Sequence, residues 1–469
     1  MNNTLVTVLL LAAIANNAAS AKSPEIPEYT ATPCCQLCPE AADSRNYQDA
    51  YLKANYQIVQ GKNDWLFRSE SDLRADYGPK DESIPMLSTF LKTIEKRGSQ
   101  VVLVYIPSRG LMHSKQLNGW PFDFPLALSN YRTALQSFRD VGFIVPPLDT
   151  LIGLVDSSAE SFFFKRDSHW TPWGAQKTAA LIASTLTAQP FYKQLPDKTF
   201  TTQLHGVTDQ PGALQIAASR LCHGDKFPSE YVQQYLTEAE AGNTDSLLSN
   251  TTEQPEVVLL GTSFSAITRF NFDGFLKQAM GKDVVNMAIS GGEDRGAWME
   301  YLASESYQKH PPRLIIWEVP AQHSMADKSL FRQLIPLVHN GCQSQPLLME
   351  KSQPLLQGEA TELVFSTQLL KTKASDLVMD MNISDPAVHA LQVRVWYQDG
   401  TNELFSVKQN KRAQTGGRFV FLLSQDEQLR SRKFLSMDVT RTDSAQKIVK
   451  MDTRVCRQPA EVGAQTVQR

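Results

Sequence analysis

Two segments carry side chains that together can do acyl-transfer chemistry. Asp167-Ser168-His169-Trp170-Thr171-Pro172 places a carboxylate and an imidazole two residues apart, just before an expected helix. Val257-Val258-Leu259-Leu260-Gly261-Thr262-Ser263 places a serine at a strand-to-helix turn. A serine hydroxyl attacks only when a base takes its proton, and that base needs a partner that fixes its tautomer and steadies its charge. Ser263 is therefore the candidate nucleophile, His169 the base and Asp167 the orienting acid. Gly261 permits a tight turn, and the N-H groups of the helix that follows are aimed at the serine, as an oxyanion hole requires. Each residue also has an ordinary reading. Asp167 can cap a turn, His169 can be a hydrogen-bonded structural histidine, and Ser263 can be a helix N-cap. Ser265 competes as nucleophile from further into the turn.

The elements that must position these groups are short apolar strands separated by helical stretches. Gln100 to Ile106 (QVVLVYI) reads as a buried parallel strand. Further strands are expected at Phe143 to Pro146, Glu256 to Leu260, Val284 to Ile289 and Arg313 to Val319. Helices are expected at Pro172 to Leu186, with Thr171 as N-cap, and at Ala266 to Met280. This pattern predicts a parallel α/β sheet flanked by helices, with its site beyond the carboxyl ends of the strands. Ser290-Gly291-Gly292 ends one strand and is expected to supply a further N-H or a substrate contact. Arg109, in Pro107-Ser108-Arg109-Gly110, ends another; binding a substrate carboxylate and a structural role are equal readings of it.

The pattern changes near residue 343. Ala360 to Ser366, Leu377 to Ile383, Leu391 to Tyr397, Glu403 to Val407, Arg418 to Leu423, Phe434 to Val439 and Lys447 to Met451 are short and partly alternating, with turns at Asp399-Gly400 and Gly416-Gly417. Strands without helices predict an all-β sandwich. Trp396 and Tyr397 point to opposite faces of one strand, so one is a possible sugar-stacking platform and the other is core. Arg394, Lys408, Lys411, Arg412 and Arg418 give this part a basic character, which an ordinary solvated face also explains.

At 469 residues the chain exceeds the roughly 250–300 at which a single core stops growing, so at least two domains are expected. A hydrophobic content of 42% and a charged content of 20% describe an ordinary globular protein. The net charge of -3 argues against a nucleic-acid binder, and an acidic polymer would have to be met by a local basic patch. Leu5 to Ala13 followed by Ala19-Ser20-Ala21 reads as a secretory signal peptide over 1–21, although its n-region has no Lys or Arg. The domains are then 22–342 (α/β), 343–457 (sandwich) and a disordered tail at 458–469. Six cysteines in an exported chain suggest disulfides and leave their connectivity open. Zinc is a rival reading of Cys35-Gln36-Leu37-Cys38, without a second ligand pair at suitable spacing.

Taken in order, Asn63-Asp64-Trp65-Leu66-Phe67-Arg68, Pro107-Ser108-Arg109-Gly110, the Asp167–Pro172 run, Gly261-Thr262-Ser263, Ile289-Ser290-Gly291-Gly292, Ile316-Trp317-Glu318 and Trp396-Tyr397 span nearly the whole mature chain. In these landmarks the chain resembles the AlgX/AlgJ family of periplasmic alginate O-acetyltransferases. The resemblance implies an SGNH-hydrolase-like domain followed by a carbohydrate-binding sandwich, with Ser263, His169 and Asp167 in the roles given above. The Asp-His pair precedes the serine, a permuted order for such hydrolases. The resemblance also implies disulfides Cys38–Cys222 and Cys342–Cys456, leaving Cys34 and Cys35 unassigned. It implies no cofactor or metal, an alginate (polymannuronate) partner, and partner proteins of the alginate acetylation and export complex. The polymer would meet Arg394 and Trp396 on the sandwich, and Arg109, Ser290 and Gly291 near the triad. Gln392 and Asn402 stand where the family is basic, and His323 where it has a tyrosine. Three functions compete: periplasmic acetyl transfer to mannuronate through an acetyl-serine, deacetylation by the same triad, and a non-catalytic polymer-binding scaffold.

Overall fold

The computed structural model describes residues 36–459, apart from 225–226, 241–254, 324, 326, 364–366, 368, 426–428, 430 and 442–446. The expected signal peptide, Cys34 and Cys35, and the tail from 460 onward lie outside the described residues. No described helix is long and apolar enough to cross a membrane.

Four strands form a parallel sheet: β1 (Gln100–Ile106), β2 (Val257–Leu260), β3 (Val285–Asn286) and β4 (Leu314–Pro320), in the order β1-β4-β2-β3. All of β2 and β4, and all of β1 after Gln100, is buried, as expected for strands covered on both faces. Helices Ile84–Lys96, Phe124–Val141 and Pro172–Thr187 supply buried faces to the same core.

Some sequence expectations are corrected. Phe143 to Pro146 contributes only one bridge, Ile144 to Val102, because two prolines follow at once. Val284 to Ile289 narrows to the two residues of β3. The helix expected from Ala266 begins at Phe272, because Asn271 adopts a left-handed φ of 53° and breaks it. An antiparallel ribbon, Phe200–Gln210 with Glu230–Ala239, was not anticipated. It packs on the helix Phe272–Met280.

The sandwich has eight strands among the described residues: β5 (Leu347–Leu356), β6 (Thr361–Leu363), β7 (Leu377–Ile383), β8 (Ala390–Tyr397), β9 (Asn402–Lys408), β10 (Arg418–Leu422), β11 (Phe434–Arg441) and β12 (Ile448–Arg457). They form two antiparallel sheets, β6-β11-β8-β9 and β10-β7-β12-β5, over an apolar core that includes Met379, Val393, Tyr397 and Phe421. β5 is the strand missed from sequence. Lys351 and Pro354 interrupt its apolar pattern, which an edge strand tolerates.

The two parts are joined closely. Val378, Val420 and Leu422 of the sandwich belong to the α/β core cluster. On the helix Lys328–Leu337, the Arg332 guanidinium lies 3.5 Å from the Phe405 ring centroid and ion-pairs with Glu403. Disulfide Cys342–Cys456 closes the junction, and Cys38–Cys222 ties the N-terminal segment to the end of helix Ala213–Leu221. Cys38 is thereby removed from any zinc site.

Candidate active site

The acid and the base sit on a narrow turn. Thr171 N-H donates to the Phe162 carbonyl at 2.8 Å and Phe164 N-H to that of His169 at 3.3 Å. Phe162, Phe163, Phe164 and Trp170 are buried, which anchors both arms. Thr171 then caps the helix Pro172–Thr187, accepting from Gly174 N-H. The turn places both side chains together: His169 Nδ1 lies 2.5 Å from Asp167 Oδ1. Asp167 Oδ1 also accepts the His169 N-H at 2.8 Å, while Oδ2 accepts the Ala213 N-H at 2.8 Å and Gln210 Nε2 at 3.4 Å. Burial pushes the Asp167 carboxyl up, but the His169 ring and these donors outweigh it and hold the group well below the usual carboxylate range.

A carboxylate at Nδ1 fixes the proton there and leaves Nε2 free to accept. Nε2 lies 2.7 Å from Ser263 Oγ. The structure thus brings Asp167, His169 and Ser263 into one hydrogen-bonded line. Trp170 secures the serine side, donating from Nε1 to the Phe264 carbonyl at 3.0 Å.

Ser263 opens a short helical turn, Ser263–Ala266, directly after β2. Beneath it lies Glu318 on β4, fully buried. Glu318 accepts from Thr262 N-H at 2.8 Å, from Thr262 Oγ1 at 3.0 Å and from Ser265 Oγ at 2.9 Å. Burial pushes this carboxyl up to about 7 despite those donors. A Cβ at Gly261 would fall 2.5 Å from Glu318 Oε2, so the nucleophile turn needs glycine there for close approach. Ser265 is buried and its hydroxyl is committed to Glu318, so it does not compete with Ser263. Sequence reasoning gave Glu318 no role. A lone acid inside the apolar run of β4 was the available signal, since such a group needs several donors to be buried.

The loop after β3 reaches the same place. Ile289 N-H donates to the Gly261 carbonyl at 3.1 Å, which brings Ser290 and Gly291, both exposed, beside the Ser263 turn. Gly291 has φ +75°, a conformation glycine adopts freely. The N-H groups of Ser263 and Gly291 find no acceptor among the described residues. That of Ser263 is available to an oxyanion formed at its own Oγ.

Arg109 requires a correction. It is 1% exposed and cannot reach a substrate carboxylate. Its Nη1 donates to the carbonyls of Phe164 (2.8 Å) and Asp167 (2.6 Å), and its Nη2 to those of Leu66 (2.7 Å) and Lys165 (3.1 Å). Trp65, Phe67 and Phe163 surround it with ring faces. Burial lowers its pKa to about 10, and Asp72 opposes that shift. Arg109 holds the acid-base turn in shape.

On the sandwich, Trp396 and Arg394 lie on the outer face of β8. Trp396 Nε1 donates to Asp438 Oδ2 at 3.0 Å, and the Arg394 guanidinium lies 5.7 Å from the Trp396 ring while bonding Asn402 Oδ1. Tyr397 is the core member of that pair.

Residues 58–321 match the family described as SGNH hydrolase-like domain, acetyltransferase AlgX, and residues 341–469 match a C-terminal carbohydrate-binding module. The alginate biosynthesis protein AlgX of Pseudomonas fluorescens is 34% identical over 92% of this chain and 89% of its own length. The probable alginate O-acetylase AlgJ of Pseudomonas aeruginosa is 29% identical over 57% of this chain and 70% of its own. The solved structure of Pseudomonas aeruginosa AlgX superposes with a TM-score of 0.79 at 33% identity, covering 90% of this chain and all of that one.

Proposed function

Since the chain belongs to the AlgX family of SGNH hydrolase-like acetyltransferases, we propose that it is a periplasmic O-acetyltransferase that acetylates mannuronate hydroxyls of alginate during export. The observation that carries this reading is the line Asp167 Oδ1–His169 Nδ1 and His169 Nε2–Ser263 Oγ, at 2.5 and 2.7 Å. The expected residues 22–342 would form the catalytic part and 343–457 the polymer-binding part.

In the first half-reaction His169 Nε2 takes the Ser263 hydroxyl proton as Oγ bonds the donor's acetyl carbon. The Ser263 N-H receives the negative charge that develops on the acetyl oxygen. The tetrahedral intermediate then expels the donor's leaving group, which takes the proton from Nε2. In the second half, an acceptor hydroxyl gives its proton to Nε2 and attacks acetyl-Ser263, and Oγ leaves with that proton. Asp167 steadies the imidazolium in both halves. The resemblance assigns donor supply to a membrane-bound acyltransferase partner.

Mass spectrometry tests the reading. The purified protein and its Ser263→Ala variant are each incubated with an acetyl ester and mannuronate oligomers. Acetyl gained by the oligomers, with a transient acetyl adduct on Ser263, supports transfer. Release of free acetate alone supports an esterase. Equal behaviour of wild type and variant removes the triad from the reaction and leaves the scaffold reading.

A further inference from the structure

The segment between β9 and β10 crosses from the sandwich to the reaction site. Asn410 Nδ2 donates to the Gly291 carbonyl at 3.0 Å, and Asn410 Oδ1 accepts from Arg412 N-H at 2.7 Å. Gln414 N-H donates to Glu300 Oε2 at 2.7 Å, on the helix Gly296–Ala303 that follows the Gly291 loop. A Cβ built on Gly296 would meet the Asn410 side chain at 3.4 Å, so the segment is also packed against that helix. Held in this way, Arg412 lies over Gly291, where a Cβ would meet its Cγ at 3.5 Å and its Nε at 3.7 Å. Arg412 is exposed, and it ion-pairs with no carboxylate among the described residues.

The distance to the chemistry is short. Gly291 is two residues from Ile289, whose N-H meets the carbonyl of Gly261, itself two residues before Ser263. At no more than about 3.6 Å per residue, Ser263 and Gly291 lie within roughly 20 Å of each other. A polyuronate carries one carboxylate on every ring, so a chain with an acceptor hydroxyl at Ser263 carries further carboxylates within that distance. The same segment continues the outer face of the sandwich. Trp396, Arg394 and Ala390 share that face with their partners Asn402, Leu404 and Lys408. The six residue steps of strand from Trp396 to Ala390 cover about 20 Å, and Lys408 leads directly to Asn410 and Arg412.

We propose that Arg412, a residue of the sandwich, forms a carboxylate-binding subsite beside Gly291 that fixes a polyuronate acceptor relative to Ser263. The proposal rests on the acetyl-transfer reading. Asn410 is the positioning residue that clamps the segment to the Gly291 carbonyl. The second domain thereby completes the acceptor groove.

Binding measured by calorimetry in the Ser263→Ala background tests the subsite without turnover. The ligands are mannuronate oligomers and the same oligomers with their carboxylates methyl-esterified. Loss of a charge-assisted hydrogen bond predicts that Arg412→Glu weakens binding of the charged oligomers about tenfold or more. The esterified oligomers should change by less than about twofold, and Arg412→Lys should recover part of the affinity. Unchanged binding of the charged oligomers by Arg412→Glu overturns the proposal, and so does an equal loss on both ligands. Acetyl loading of Ser263 in the otherwise unaltered protein is read separately by mass. Its absence overturns the transfer reading and leaves the binding result to judge the subsite.

Discussion

The Arg109 guanidinium donates to the main-chain carbonyl of Asp167 at 2.6 Å, from beneath the turn that carries both acid and base. Three further carbonyls, of Leu66, Lys165 and Phe164, point at the same planar group. The fork of donors matches this ring of acceptors in a way a lysine ammonium cannot.

Arg109→Lys and Arg109→Met are therefore expected to lower stability by about 3–5 kcal/mol, because they leave buried carbonyls without donors, while Asp72 keeps its ion pair with Arg68. In a protein of this size that is a fall in Tm of roughly 3–5 °C. Differential scanning calorimetry reads it. Unfolding of Arg109→Met at the wild-type temperature would show that the guanidinium does not support the turn.

Asp167→Asn keeps the shape of the side chain but allows the wrong His169 tautomer, so a loss of about 10³–10⁴ in the acylation rate is expected. The same variant tests stability against pH. The native carboxyl lies below its ordinary value of 3.8, so its contribution is present above about pH 4 and is lost as the pH falls further towards the depressed native value. Wild type should lose more Tm between pH 5 and pH 3 than Asp167→Asn does. Equal slopes would mean that Asp167 is not held as a stabilised anion.

How much of this was legible depends on the residue. β1 could be read because QVVLVYI is apolar at nearly every position and both faces are covered. The triad could be read because Asp167 and His169 are neighbours in sequence and Ser263 follows a buried strand. The role of Arg109 was not legible. In Pro-Ser-Arg-Gly a substrate contact and a structural role read alike, and the choice is made only when residues 66 and 164–167 fold over Arg109 from distant parts of the chain. Asn410 is similar: its partner Gly291 is 119 residues away in another domain. The late start of the helix at Phe272 depended on a left-handed backbone at Asn271 that no periodicity shows.

Glu318 holds its proton more tightly when folded than its ordinary value of 4.5 allows, because burial pushes it up to about 7. Its contribution is full below about pH 4.5 and is lost as the pH rises through 7. Each unit of difference is about 1.4 kcal/mol, so the total is on the order of 3 kcal/mol. Glu318→Gln, neutral at every pH, is expected to flatten the wild-type decline in Tm between pH 5 and pH 8. Because it also weakens the acceptance from Thr262 and Ser265, the acylation rate should fall while KM for the donor stays nearly constant. A variant that keeps the wild-type pH slope would show that Glu318 is not the titrating group.

The Cys38–Cys222 disulfide acts at the far end of the helix whose first N-H, from Ala213, holds Asp167 Oδ2 at 2.8 Å. It closes a separation of 184 residues, for which the chain-entropy model gives about 5 kcal/mol of stabilisation. Replacing both cysteines with serine should lower Tm by roughly 5 °C. Local loosening comes first, because the helix is short and its far end packs on the N-terminal segment that the bridge secures. Hydrogen exchange should then show lost protection at Ala213 and in the helix Ala213–Leu221, and acetylation of Ser263 should slow at temperatures where the sheet strands remain protected. Unchanged exchange at Ala213 in the double variant would separate the disulfide from the triad and leave it a role in global stability alone.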